Sequence, residues 1–83
     1  MRIFDKSTTP SMESMNVHPA GTLVEVKMAT PYRVASLVLE TRCKWGNPNG
    51  DNTADHWYFT YLLYEDDGDH IEVQARYYKE FVA

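Results

Sequence analysis

The sequence predicts an all-β fold: a small five-stranded antiparallel barrel with an irregular amino-terminal extension and one 3₁₀ turn. Three observations carry this reading. Residues 56–64, HWYFTYLLY, are dense in aromatic and β-branched side chains, which pack well on a pleated surface. Residues 70–75 alternate Ile71, Val73 and Ala75 against His70, Glu72 and Gln74, the pattern of a half-buried strand. Between them, Asp67-Gly68 supplies residues that tolerate positive φ, as a tight hairpin requires.

The remaining elements follow in order. Residues 1–19 mix Ser, Thr, Pro and Met without periodicity and read as an extension, with a short strand suggested at residues 2–4. Its apolar residues are expected to dock on the barrel of residues 20–83. After Pro19-Ala20-Gly21, residues 22–28 (TLVEVKM) alternate Val24, Val26 and Met28 against Glu25 and Lys27, predicting a half-exposed strand. Ala29-Thr30-Pro31 reads as a turn, because Pro31 disfavours helix at Thr30 and removes a ladder donor. Residues 32–41 (YRVASLVLET) predict a strand through β-branched content around Val34, Leu37, Val38 and Leu39. Residues 42–55 hold the turn formers GNPNGDN and read as one long exposed loop with Trp45 near its stem. Residues 76–79 suit a single 3₁₀ turn, and residues 80–83 a closing strand.

Composition bounds the function. At 83 residues the chain has room for one domain and one modest core, and 43% apolar residues are enough for it to fold. A single cysteine, Cys43, excludes an internal disulfide and points to a reducing compartment, the cytoplasm. No apolar run approaches the roughly 18 residues of a membrane span, and the start MRIFDKSTTPS lacks a secretory core, so no membrane association is expected. The net charge of −4 with scattered Lys and Arg disfavours nucleic acid, whose phosphates need clustered cations. Glu65, Asp66, Asp67 and Asp69 form the densest charge patch, which reads either as a solvated hairpin tip or as a contact for a basic partner surface.

Catalytic signals are weak. His18, His56 and His70 share no ligand spacing with Cys43, so neither a metal nor another cofactor is expected. Arg42 and Lys44 flank Cys43 and would lower a thiol pKa, yet nothing around them matches a nucleophile signature; a cysteine at a strand end beside the loop is the simpler reading. Gly46 and Gly50 lack the Lys-Ser/Thr that completes a phosphate cradle. The aromatics are the better lead. In the strand register Tyr58, Leu62 and Tyr64 share one face, and Trp57, Phe59, Tyr61 and Leu63 the other. A strand apolar on both faces must be covered on both, by Ile3, Phe4, Met12 and Met15 of the extension or by a second protein.

The succession GTLVEVK, SLVLE, a long loop, WYFTYLLYEDDGD and a terminal YYKEF resembles the small Src-homology-3-like (SH3-like) barrels over residues 20–83, and more narrowly the tiny barrel proteins encoded in tailed bacteriophage genomes. The resemblance implies the fold, a viral origin and no catalytic residue. The acidic and aromatic signature of proline-rich peptide binding is missing, so that activity is not implied. The resulting expectation is a non-enzymatic module, a phage-encoded accessory factor that binds and modulates a host protein in the host cytoplasm. Trp45, Asn47, Asn49, Asp51, Tyr77 and Tyr78 would form an aromatic rim, and Glu65, Asp66, Asp67 and Asp69 would meet basic groups. The alternatives are a self-associating virion or assembly component and, third, a binder of single-stranded nucleic acid through stacked aromatics.

Overall fold

The order of strands in the sheet is what gives the molecule its shape. A computed structural model describes residues 3–28 and 31–83. Five strands, β1 (Leu23–Val26), β2 (Ser36–Gly46), β3 (His56–Tyr64), β4 (His70–Gln74) and β5 (Tyr78–Glu80), form one antiparallel sheet in the order β4-β3-β2-β1-β5. β4 and β5 therefore lie at opposite edges, yet only a 3₁₀ turn, Ala75–Tyr77, joins them. The four backbone steps from Gln74 to Tyr78 reach at most about 14 Å, whereas the outer strands of a flat five-stranded sheet would stand about 19 Å apart. The sheet must curl. Its edges are not hydrogen-bonded to each other, so it is bent but not closed.

A register shift between Val38 and Glu40 marks the bend in β2. One extra residue in a strand leaves the ladder locally unpaired and increases its coiling. On the amino-terminal side of this bulge β2 pairs with β1, and on the other side with β3 as far as the Gly46–His56 pair. The concave side holds Val24, Val38, Phe59, Tyr61, Leu63 and Ala75, with Met15, Val17, Cys43, Val73 and Tyr78 packed around them. The extension contributes Met15 and Val17 to this cluster and is pinned at both ends. The Trp57 amide donates to the Ile3 carbonyl at 2.7 Å and the Trp57 indole to the Asp5 carbonyl at 3.0 Å. Further along, the His18 amide donates to the buried Tyr61 hydroxyl at 2.9 Å, and the Thr41 hydroxyl to the His18 carbonyl at 2.6 Å. A short 3₁₀ turn, Glu13–Met15, ends at Asn16 in the left-handed region and brings the chain back to the sheet.

Several expectations are corrected. β1 does not alternate as predicted. Val24 is buried, but Val26 and Met28 are exposed, and Glu25 is buried with 3% of its surface accessible. Burial of that carboxylate is made possible by Arg33, which donates through Nε at 3.0 Å and Nη2 at 2.5 Å. Arg33 also donates to the Val82 carbonyl at 2.7 Å and lies 4.4 Å over the Phe81 ring, clamping segment 31–35 to the carboxyl end. Tyr32 to Ala35 consequently leave the sheet, and β2 starts at Ser36. β2 also runs on through residues 42–46, which read as loop, because Thr41, Cys43 and Trp45 meet Tyr61, Phe59 and Trp57 across the ladder. Cys43 is thus within a strand and half-buried, and burial pushes its thiol pKa up rather than down. β5 begins at Tyr78, two residues before the expected closing strand, and Ile71 is exposed despite its place in the alternation. Ile3 and Phe4 lie in a turn rather than a strand; Arg2, Ala29 and Thr30 lie outside the described residues.

Two outcomes test this account. Tyr61→Phe keeps the ring but removes the acceptor for His18, so it should cost about 1 kcal/mol, read as a lower urea midpoint with faster exchange of the His18 amide. The Glu25 carboxyl is held below the usual carboxylate range, chiefly by the hydrogen bonds from Arg33. A depressed folded-state value contributes stability that is present above the unfolded pKa, about 4, and is lost as pH falls through the folded value. The urea midpoint should therefore stay level from pH 7 to about 5 and fall below about 4, and Glu25→Gln should flatten that fall.

Candidate functional site

The long loop, residues 47–55, is built by asparagine and aspartate side chains that replace missing backbone bonds. Asn47 Nδ2 donates to the carbonyls of Asp51 at 2.8 Å and Thr53 at 2.9 Å, while the Thr53 amide donates to Asp51 Oδ1 at 2.8 Å. Hydrogen bonding from Thr53 holds the Asp51 carboxyl below its ordinary range, and Gly50 supplies the positive φ of 65° that closes the turn. Asn49 then reaches across the molecule. Its Oδ1 accepts from Gln74 Nε2 at 3.2 Å and from Arg76 Nη2 at 3.5 Å, tying the loop to the end of β4 and the 3₁₀ turn. Arg76 stacks 4.6 Å over the Tyr77 ring and donates to its hydroxyl. Asn49, Gln74, Arg76 and Tyr77 thus form one connected surface, with Tyr77 about half exposed.

Beneath this surface lies a cavity of about 130 Å³, bounded by Ile3, Met15 and Val17 of the extension and by Trp57, Phe59 and Ala75 of the sheet. His56, Tyr58, Gln74 and Arg76 complete its wall. Trp45 does not join the rim. It is half-buried, edge-on to Trp57 at 5.3 Å, and Trp57 is itself held by the extension. Tyr78 is half-buried against the core cluster, so Tyr77 rather than Tyr78 is presented outward.

The acidic turn sits elsewhere. Glu65, Asp66, Asp67 and Asp69 are exposed, in a hairpin closed by Glu65 N–H to Asp69 O at 2.9 Å and Gly68 N–H to Glu65 O at 3.0 Å. The nine residues of β3 separate this tip from the loop end, about 30 Å of extended chain. The ten residues expected to meet a partner therefore fall into two groups at opposite ends of β3. An open groove of about 390 Å³ runs beside the acidic turn, between Val34–Ser36 and Tyr64–Asp67.

The convex face of β2, β3 and β4 carries a mixed-charge network that sequence reading missed. Arg42 pairs with Glu40 at 3.0 Å and Glu72 at 3.2 Å, Lys44 pairs with Glu72 at 2.8 Å, and the Thr60 hydroxyl donates to Glu72 at 3.1 Å. Lys44 foremost holds the Glu72 carboxyl below the usual range. Arg76 differs from these cations: among the described residues it has no carboxylate partner. Its signal in the sequence was an arginine beside a tyrosine directly after a strand, which the reading absorbed into the terminal turn. Among the described residues no group of three or more His, Cys, Asp or Glu side chains is arranged to hold a metal ion.

Comparison of the chain with protein families, curated proteins and solved structures finds no match.

If Asn49 fastens the loop, Asn49→Ala should raise the rate of proteolytic cleavage within residues 47–55 while moving global stability by no more than about 0.5 kcal/mol. Equal cleavage rates for the two proteins would remove the tether from the account.

Proposed function

We propose that this chain is a non-enzymatic protein-binding module, a small SH3-like barrel that acts as an accessory factor by holding a host protein. The single observation that carries the reading is the tether of Asn49 to Gln74 and Arg76. It fixes a long loop, an exposed tyrosine and an aromatic-lined cavity as one preorganised surface, and preorganisation lowers the ordering cost that binding must meet. Tyr and Arg are also the residue types enriched where interfaces concentrate their energy. The strand order and the three-residue link between β4 and β5 support the barrel assignment. The likeness of residues 20–83 to small phage-encoded barrels supports a host protein as the class of partner. The acidic turn, at the far end, suits a basic region of the same partner or of a neighbouring one.

One observation favours a second reading, self-association as an assembly component. Leu23 and Leu37 face each other across β1 and β2 on the convex side, 45% and 39% exposed, next to Leu39, also 39% exposed. β4 and β5 each leave one backbone edge unpaired in the sheet, and such edges accept further strands.

Affinity capture from host lysate compares the tagged chain with Tyr77→Ala and with Asp66→Asn/Asp67→Asn. A stoichiometric protein retained by the parent chain and lost with Tyr77→Ala supports the module. The acidic-turn variant should slow capture and weaken its salt dependence without abolishing it. A concentration-dependent homo-oligomer in light scattering, with no such loss, would replace the module by the assembly reading.

A further inference from the structure

We infer that the cavity beneath the 3₁₀ turn Ala75–Tyr77 is the anchor pocket for an acidic partner segment: it takes one leucine- or phenylalanine-sized side chain while Arg76 pairs with a neighbouring carboxylate of that segment. This rests on the reading of the chain as a protein-binding module and adds the chemistry of what it binds. Size is the first argument. An engineered apolar cavity of about 150 Å³ takes benzene, so a cavity of about 130 Å³ walled by Ile3, Met15, Val17, Trp57 and Phe59 matches one ring or one branched aliphatic group.

Charge is the second. Arg42, Lys44 and Arg33 are each satisfied by glutamates of the chain itself, whereas among the described residues Arg76, which lines the cavity, is held by neutral groups, the Asn49 amide oxygen and the Tyr77 ring and hydroxyl. Those contacts position the guanidinium without neutralising it. A positioned guanidinium favours carboxylate, and the bond is stronger than one between neutral groups. Asp51, in the loop that Asn49 ties to Arg76, has its carboxylate engaged by the Thr53 amide and Asn47. The acidic turn stands at the other end of β4, where the seven residues from Asp69 to Arg76 span at most about 25 Å, more than two screening lengths at ordinary ionic strength, where that length is about 8–10 Å. The overall negative charge therefore does not decide what the pocket accepts. The third argument is construction: one wall belongs to the extension, which is fastened through Ile3, Asp5 and His18, so the pocket exists before a partner arrives.

The test uses the full chain and two blocked peptides, acetyl-Gly-Glu-Phe-Glu-Gly-amide and its twin with both Glu replaced by Gln, followed by NMR shifts of the Trp57 indole and the Arg76 side chain. The acidic peptide should shift both groups and bind roughly tenfold more tightly than its twin, an advantage that shrinks as salt is raised. Arg76→Gln should erase the difference between the twins with its urea midpoint unchanged, and Val17→Phe, which fills the cavity, should weaken both peptides alike. Equal binding of the twins, or shifts that avoid Trp57, would overturn the assignment. If capture of a partner still depends on Tyr77 while neither peptide binds, the pocket chemistry is wrong and the binding module stands; if neither peptide binds and Tyr77→Ala captures as the parent chain does, both fall.

Discussion

The rest of the structure depends on one geometric constraint: β4 and β5 are the two outermost strands, yet three residues connect them. A sheet that satisfies this cannot be flat. Curling concentrates side chains from one face into a core small enough for about half a dozen buried apolar residues to fill, and exposes the other face to water. It also leaves that core open at one end, where the extension packs Met15 and Val17 against the cluster and is fastened by hydrogen bonds between its backbone and Trp57, Tyr61 and Thr41 rather than by sheet pairing. The extension is thus part of the fold.

How much of this was legible in the sequence depended on whether the deciding interaction was local. The β3–β4 hairpin was, since aromatic density, alternation and Asp67-Gly68 all act within twenty residues. The inward face of β3 followed from its period: Phe59, Tyr61 and Leu63 are buried as that register requires. β1 misled because its alternation is overridden from outside. Glu25 is a buried-charge liability only until Arg33, eight residues on, pairs with it, and nothing adjacent to either residue announces that. Residues 42–46 misled for a related reason. Arg42 and Lys44 look like loop residues, but on the convex face their side chains reach across β3 to ion-pair with Glu72 of β4.

The same distinction separates the parts of the site. The turn formers of the long loop and the tyrosines after β4 were visible as residue types, and their joining was not, because it runs through Asn49, a side chain that looks like any other turn asparagine. Trp45 and Tyr78 were conspicuous as aromatics but are spent on packing. What distinguishes Arg76 is relational: it matters because, among the described residues, Arg33 and Arg42 are paired with acids and it is not. Charge bookkeeping on a folded surface can reveal that where residue counting cannot.

The placement of the hairpin tip has a practical consequence. Gly68, with φ of 86°, would meet no atom within 4 Å if it carried a side chain, and the acids around it are exposed. A fluorophore attached through a cysteine at Asp66 would hang in solvent at one end of β3, while Trp57 reports from the other. The native thiol of Cys43, half-buried midway along β2, would label slowly under the same conditions. The molecule thereby offers itself as a calibrated ruler, an emitter at one pole and an acceptor at the other, on which the orientation of whatever docks can be read as a distance.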